Sequence, residues 1–117
     1  MKITDLKVTV WEWKDIPPTR YTSRASSSGS RTAQMALVRI ITESGLEGHA
    51  FLGSALSALG TDAQLIIQRY KPMLVGQDAL ARERIWQQMA SWSMGSVMRV
   101  IGAIDVALWD VAAKAAG

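Results

Sequence analysis

The chain has 117 residues but no cysteine, a single histidine, one phenylalanine and only three prolines. Without cysteine it has no disulfide framework, no thiolate metal ligand and no thiol nucleophile. No apolar run approaches the roughly 18 residues of a membrane-spanning helix, and the N-terminus does not resemble a signal peptide. We therefore expect a cytoplasmic protein without membrane contact. A composition of 49% hydrophobic and 20% charged residues is typical of a globular domain, here one domain over residues 1–117.

Positive charge is in slight excess, with a formal net charge of +3. Arg20, Arg24 and Arg31 fall in one polar stretch, whereas the remaining arginines are scattered. Nucleic-acid-binding domains concentrate basic side chains on one face, usually with a recognisable motif. This chain has neither, so we expect no nucleic-acid partner.

The first half of the chain predicts three strands. Residues 2–13 and 33–43 alternate in polarity, and Ser44-Gly45 turns the chain into a third strand over residues 46–52. Residues 16–31 form a polar loop, longer than compact domains usually keep unless it is functional or disordered. Short turns between strands predict an antiparallel meander.

The second half predicts three helices. A capping box over residues 61–64 starts the first, and Pro72 ends it after Lys71. Asp78 is a suitable N-cap for a second helix over residues 79–92, and the third covers residues 97–115. The fold class is therefore α+β, a three-stranded antiparallel meander followed by a three-helix bundle.

The last predicted helix is apolar on almost all sides. One buried stripe contains Val97, Ile101, Ile104, Leu108, Val111 and Ala115. Met98, Trp109, Ala112 and Ala116 extend the apolar surface round a second side, and only Arg99, Asp110 and Lys114 form a narrow polar strip. A helix of this kind is covered on two flanks. We expect the second cover to lie outside these 117 residues.

No complete catalytic constellation is present. Asp105 and Asp110 lie about 140° apart on the helix and cannot converge on one ion, since successive residues are about 100° apart. Asp110 is expected to pair with Lys114, and Asp105, on the apolar side, to be buried against a hydrogen-bond donor. His49 lacks a second metal ligand at suitable spacing, so it is either structural or faces a ligand at a strand end. Core packing accounts for Trp86 and Trp92.

Two segments carry a family resemblance. GAIDVALWDVAAKAAG, residues 102–117, resembles a motif of the mandelate racemase and muconate lactonizing branch of the enolase superfamily. GQDALARERIWQQM, residues 76–89, resembles a helix of the same family, and the turn over residues 45–49 fits as well. The resemblance implies an enolase N-terminal-domain-like cap that is followed in the family by a modified TIM barrel.

The resemblance also implies a function. Family members abstract a proton alpha to a carboxylate and stabilise the enediolate with Mg²⁺; the base and the metal ligands come from the barrel. It therefore implies no catalytic or metal-binding residue in this chain, and no activity for the chain alone. Loops over residues 16–31 and 49–54 would contact the substrate, a small carboxylate and in our interpretation an acid sugar. The candidate substrate-binding residues are Tyr21, Arg24, Arg31, His49 and Phe51.

Several alternatives stay open at this stage. Dehydration, racemisation and cycloisomerisation all fit the resemblance, and the partners it implies are the barrel domain and further copies in a homo-oligomer. A different class of function is a stand-alone α+β binding or dimerisation module that uses the exposed side of the last helix. The reading frame beyond Gly117 distinguishes these possibilities.

Overall fold

Alternating side chains build a sheet of three antiparallel strands at the start of the chain. A computed structural model describes residues 1–16, 31–53, 59–91 and 98–117. The strands are β1 (Ile3–Ile16), β2 (Arg31–Thr42) and β3 (Glu47–Gly53), in the order β1-β2-β3. The predicted meander is confirmed, and β1 continues three residues beyond its predicted end.

The turn between β2 and β3 depends on a glycine. Gly45 has a φ of 82°, in the left-handed region that side chains disfavour. Its N–H donates to the Thr42 carbonyl at 3.0 Å, and the Thr42 N–H donates to the Leu46 carbonyl at 3.1 Å. The predicted Ser44-Gly45 turn is therefore confirmed.

The helices follow the strands, which confirms the α+β class. The first helical stretch consists of α1 (Leu59–Leu65), a π-helical turn (Ile66–Tyr70) and α2 (Lys71–Leu74) without interruption. After it come α3 (Arg82–Ser91) and α4 (Met98–Ala116).

The capping box predicted at residues 61–64 is wrong, because α1 already begins at Leu59. Leu59 is completely buried, and its N–H donates to the side-chain oxygen of Gln34 in β2 at 3.1 Å. A glutamine 25 positions away thus satisfies a free donor at the start of the helix.

Pro72 does not end the first helical stretch, contrary to the prediction. The π-helical turn precedes it, and the Lys71 N–H donates to the Ile66 carbonyl five residues back. Pro72 consequently lies in the first turn of α2, where a missing N–H costs least.

The second helix begins three residues later than expected, at Arg82. Asp78 is therefore not the N-cap of α3, but its side chain accepts hydrogen bonds in the turn that precedes this helix. Its carboxylate accepts from the Leu80 N–H at 3.1 Å and from the chain's N-terminal ammonium at 3.2 Å. These two donors lower the pKa of Asp78, the Leu80 N–H most strongly.

The hydrophobic core lies between the inner face of the sheet and the helices. Helix α4 packs directly on β3 at Gly48, where an added Cβ would lie 2.0 Å from the Ala107 carbonyl oxygen and 2.5 Å from Val111 Cγ2. The absence of a side chain at position 48 therefore sets the spacing between helix and sheet. The largest fully buried side chains are Tyr70, Ile3, Leu6, Ile40, Leu59, Ile66, Leu74, Ile85, Met89, Ile101, Ile104 and Leu108.

Two ion pairs join elements that are distant in sequence. Asp62 in α1 is only 2% exposed, and Arg99 in α4 donates to both of its oxygens, at 2.8 and 3.1 Å. This bond raises the pKa of Arg99. Lys71 lies 2.6 Å from the Asp5 carboxylate in β1 and lowers the pKa of Asp5 by its hydrogen bond.

Candidate functional site

The sheet has one end at which both candidate loops are attached. Because the strands alternate in direction, β1 ends, β2 begins and β3 ends at the same edge, which we call the loop end. Residues 17–30, most of the first predicted loop, connect β1 to β2. The second loop, predicted over residues 49–54, is wrong in its bounds, because residues 49–53 continue the ladder of β3 and only the stretch from residue 54 to residue 58 connects β3 to α1. Tyr21 and Arg24 lie outside the described residues. The backbone of Arg31 opens β2 at the loop end, paired with Ile16.

Exposed apolar side chains occupy the outer face of the sheet near the loop end. Phe51 is 69% exposed, and its neighbours on this face include Met35, which pairs with Trp11. We call the set Trp11, Trp13, Met35 and Phe51 the outer patch. Alternation along β1 already predicts that the two tryptophans face away from Leu6. That Met35 joins them depends on strand register, which the sequence alone did not indicate.

His49 lies further along the same face, within a polar cluster that joins β3 to α4. Its backbone N–H donates to the Asp110 carboxylate at 2.8 Å. The Lys114 ammonium lies 3.1 Å from Nδ1, and the Glu47 carboxylate lies 3.3 Å from Nε2. Both ring nitrogens therefore have polar neighbours within the chain, and the structure places His49 between two elements.

Asp110 is the acceptor at the centre of this cluster. Lys114 donates to it at 2.6 Å, which confirms the predicted pair, and also donates to the Glu47 carbonyl at 2.8 Å. The hydrogen bond from Lys114 is the main cause that lowers the pKa of Asp110, and the His49 backbone N–H adds to it. The cluster fixes the C-terminal half of α4 against the edge of the sheet.

Asp105 differs from its predicted environment. Its side chain is only half-buried and has no hydrogen-bond donor within the part of the chain that the structure describes. The expectation of a buried carboxylate with a donor is therefore wrong. The reason is that Asp105 borders a flank of α4 that nothing in the described structure covers.

That flank is apolar and exposed. Trp109 is 57% and Val106 is 56% exposed, whereas the polar residues Arg99, Asp110 and Lys114 bind other elements of the domain. We call the exposed residues Met98, Gly102, Val106, Trp109 and Ala113 the bare stripe. A helix flank that faces water is normally polar, so this distribution is the reverse of the usual one.

An arginine from α3 lies on the bare stripe. The guanidinium carbon of Arg82 lies 3.4 Å from the centre of the Trp109 ring, a cation–π contact. Its Nε and Nη1 atoms are buried and have no hydrogen-bond acceptor among the residues that the structure describes. Trp86, one turn along α3, is exposed rather than packed in the core as predicted, and Trp92 lies outside the described residues.

Within residues 1–16, 31–53, 59–91 and 98–117, no group of three or more histidine, aspartate or glutamate side chains is arranged so that it could hold a metal ion. The described residues therefore do not fit a Mg²⁺ site of their own. None of the helices in these ranges is both long and apolar enough to cross a bilayer. The two surfaces of the domain that are available for contact with other groups are the loop end and the bare stripe.

Comparisons with known proteins identify relatives in which this domain is one part of a longer chain. The sequence model of a family described as "Mandelate racemase / muconate lactonizing enzyme, N-terminal domain" matches residues 7–117. A D-galactonate dehydratase family member from Paenibacillus sp. is 40% identical over 88 residues, which make up 69% of this chain and 21% of that protein.

Two solved structures share the fold. An enolase superfamily member from Polaromonas sp. JS666 has a TM-score of 0.78 at 28% identity, with 99% of this chain and 31% of that chain covered. A racemase from Streptomyces coelicolor with bound magnesium has a TM-score of 0.73 at 27% identity, with 97% and 32% covered. The chain thus spans about a fifth of the curated relative and about a third of these solved chains.

Proposed function

The chain belongs to the mandelate racemase and muconate lactonizing enzyme family, whose N-terminal domain it matches over residues 7–117. From this membership we propose that it is the capping domain of a larger, magnesium-dependent enzyme that removes a proton alpha to the carboxylate of an acid sugar. Dehydration is the favoured outcome, since the Paenibacillus relative is a D-galactonate dehydratase family member.

The proposal divides the work between two domains. The absence of a metal-ligating cluster among the described residues supports placing the base and the carboxylate ligands in a further domain. Magnesium bound there would stabilise the enediolate formed when the proton leaves. The magnesium-bound racemase among the structural neighbours supports this cofactor. The isolated chain is expected to be inactive.

The contribution of this chain is to select the substrate and to exclude water. Arg24 and Arg31 would bind a substrate carboxylate through charge-assisted hydrogen bonds, and Tyr21 would bind a hydroxyl. Phe51, at the loop end, would supply apolar cover over the bound molecule. His49, held by Lys114 and Asp110, would contribute by fixing the position of β3 beneath Phe51.

The observation that carries this proposal is that both candidate loops are attached at one end of the sheet. A substrate covered by one loop is then within reach of the other. Loops that close together over a reacting centre complete the binding pocket and remove solvent from it. The long polar stretch over residues 16–31, unusual in a compact domain, has a purpose in this arrangement.

The test uses the full-length protein that contains this chain, assayed with Mg²⁺ against a panel of acid sugars. Arg24→Ala is expected to raise KM for the preferred acid sugar by about tenfold, the loss of one charge-assisted hydrogen bond, with Mg²⁺ affinity unchanged. Arg84→Ala, which removes the same charge from the exposed surface of α3, is the matched control and is expected to leave KM unchanged.

Two results would contradict the proposal. Loss of Mg²⁺ affinity in Arg24→Ala would place the loop at the metal rather than at the substrate. Failure of the full-length protein to act on any acid sugar of the panel would reject the substrate class.

A further inference from the structure

The bare stripe is a continuous surface on one side of α4. At about 100° per residue, Met98, Gly102, Val106, Trp109 and Ala113 all fall within a sector about 80° wide. Three of its side chains, Met98, Val106 and Trp109, leave more than half of their surface in solvent. The adjoining sector of the helix is occupied by residues that already bind the rest of the domain, so the stripe is the flank left over after the domain has packed.

Two charged groups with unused hydrogen-bonding capacity border the stripe. Arg82 stacks on Trp109 and has two buried guanidinium nitrogens without an acceptor in the described part of the chain. Asp105, one turn before Trp109, has a half-buried carboxylate without a donor among the described residues. Arg82 and Asp105 do not form an ion pair with each other. Polar groups removed from water normally find partners, so each of these indicates a complementary group that approaches from outside.

We propose that the bare stripe and Arg82 together form the seat of the further domain of the same polypeptide, with Trp109 as its central anchor. The domain that covers them presents an apolar surface to Val106 and Trp109, a carboxylate or carbonyl oxygen to Arg82, and a hydrogen-bond donor to Asp105. The inference deepens the proposed function, since the occupant is the further domain which that function requires.

The occupant is identified by the length of the related proteins. The relatives that share this fold devote only 21% to 32% of their chains to it, so most of each chain is available to cover it. A further domain of the same polypeptide is tethered to this one and therefore has a high effective concentration at its surface.

The decisive variant is Val106→Asp in the full-length protein. Val106 is exposed in this domain, so the substitution leaves the core intact but places an unpaired charge beneath the covering domain. We expect the single thermal unfolding transition to split in two and proteolysis at the junction between the two domains to be about tenfold faster. Val75→Asp, at a valine 40% exposed at the end of α2, is the matched control and should retain the parental behaviour.

A second measurement does not depend on a destabilised variant. Oxidative footprinting of the full-length protein is expected to label Trp11, 42% exposed, readily, and Trp109 at least about fivefold more slowly, although Trp109 is the more exposed of the two within this domain. Arg82→Met should restore much of the labelling at Trp109, because it removes the cation that stacks on the ring and bonds the partner.

The results separate the possible occupants. If Val106→Asp behaves like Val75→Asp and Trp109 is labelled as fast as Trp11, the inference is overturned. If Val106→Asp instead lowers the mass measured by sedimentation while the unfolding stays single, a second copy covers the stripe and the inference is also overturned. An enzyme with a protected Trp109 but no activity on acid sugars would reject the proposed substrate and leave this inference standing.

Discussion

At the scale of single residues, position 48 shows how closely the helix and the sheet approach each other. The Ala107 carbonyl occupies the space that a β-carbon would need. A glycine in a strand often marks such an approach, and the sequence therefore hints at it. The partner could not be predicted, because it lies on a helix 59 positions further along the chain, and only the packed structure specifies which turn of α4 crosses β3.

Gly48→Ala is expected to destabilise the protein by about 1–3 kcal/mol, the usual cost of overpacking a closely packed site. The added methyl group must push α4 away from β3, since a backbone atom blocks it. Gly60→Ala is the matched control. Position 60 lies in α1, where a methyl group would have nothing within 4 Å, and alanine should stabilise the helix by about 0.5–1 kcal/mol. Denaturant unfolding of the full-length protein measures both; equal effects would contradict the close approach.

Asp110 gives the domain a defined response to acid. Its pKa lies below the ordinary value of 3.8 because Lys114 and the His49 N–H stabilise the carboxylate. A group with a lowered pKa in the folded state contributes its stability above the ordinary pKa and loses it as the pH falls through the lowered value. Asp110→Asn should therefore flatten the loss of stability below about pH 4.

The matched control for this experiment is Glu83→Gln, because Glu83 is exposed on α3 and has no ion pair in the described part of the chain. Unfolding midpoints measured from pH 7 to pH 2 should show the same acid dependence for Glu83→Gln as for the parent. A parental slope in Asp110→Asn would show that the cluster around His49 does not hold α4.

At the scale of elements, the sequence was informative where a local pattern decides the outcome. The strands follow from alternation, and the long apolar helix from its period, so both were predictable to within a few residues. The start of α1 was not, because its cap is Gln34, in another strand. The continuation of the helix through Pro72 was not predictable either, since a π-helical turn, in which Ile66 and Tyr70 are fully buried, precedes the proline.

The contact between α1 and α4 depends on the pair formed by Asp62 and Arg99. Arg99→Met keeps the aliphatic stem but leaves the buried Asp62 carboxylate without its cation, so we expect a clear loss of stability, measured as a lower unfolding midpoint. Arg84→Met, on the surface of α3, should change stability by less than about 0.5 kcal/mol. Similar unfolding midpoints for the two variants would show that the pair does not join the helices.

At the scale of the whole molecule, the apolar character of α4 predicted a helix that needs cover on two flanks. In the structure one flank is packed and the other is bare, with Trp109 largely exposed. The sequence could not indicate how the polar residues are distributed, because Arg99, Asp110 and Lys114 find their partners inside the domain. Thermal unfolding of Val106→Asp, with Val75→Asp as its control, tests whether this domain and the domain that covers α4 unfold together.

For the candidate substrate residues too, the sequence did not indicate contacts with distant elements of the chain. Arg31 and Phe51 were chosen from the sequence and lie at the loop end, whereas His49 is engaged with Glu47 and Lys114. Nothing in the local sequence around residue 49 indicates a contact with α4. The role of Tyr21 and Arg24 stays a prediction, to be decided by the KM measurement proposed above.

Under the proposed function, the attachment of both loops at one edge of the sheet affects how substrate selectivity can differ between related proteins. Leu6, Val38 and Ile40, which are fully buried, sit away from the edge where residues 17–30 and 54–58 join the sheet. The connecting segments at the loop end can therefore be exchanged without disturbing the hydrophobic core. Grafting both stretches from a relative with a different substrate preference should transfer that preference to this protein. Grafting only one of them should give a protein whose substrate selectivity lies between those of the two parents.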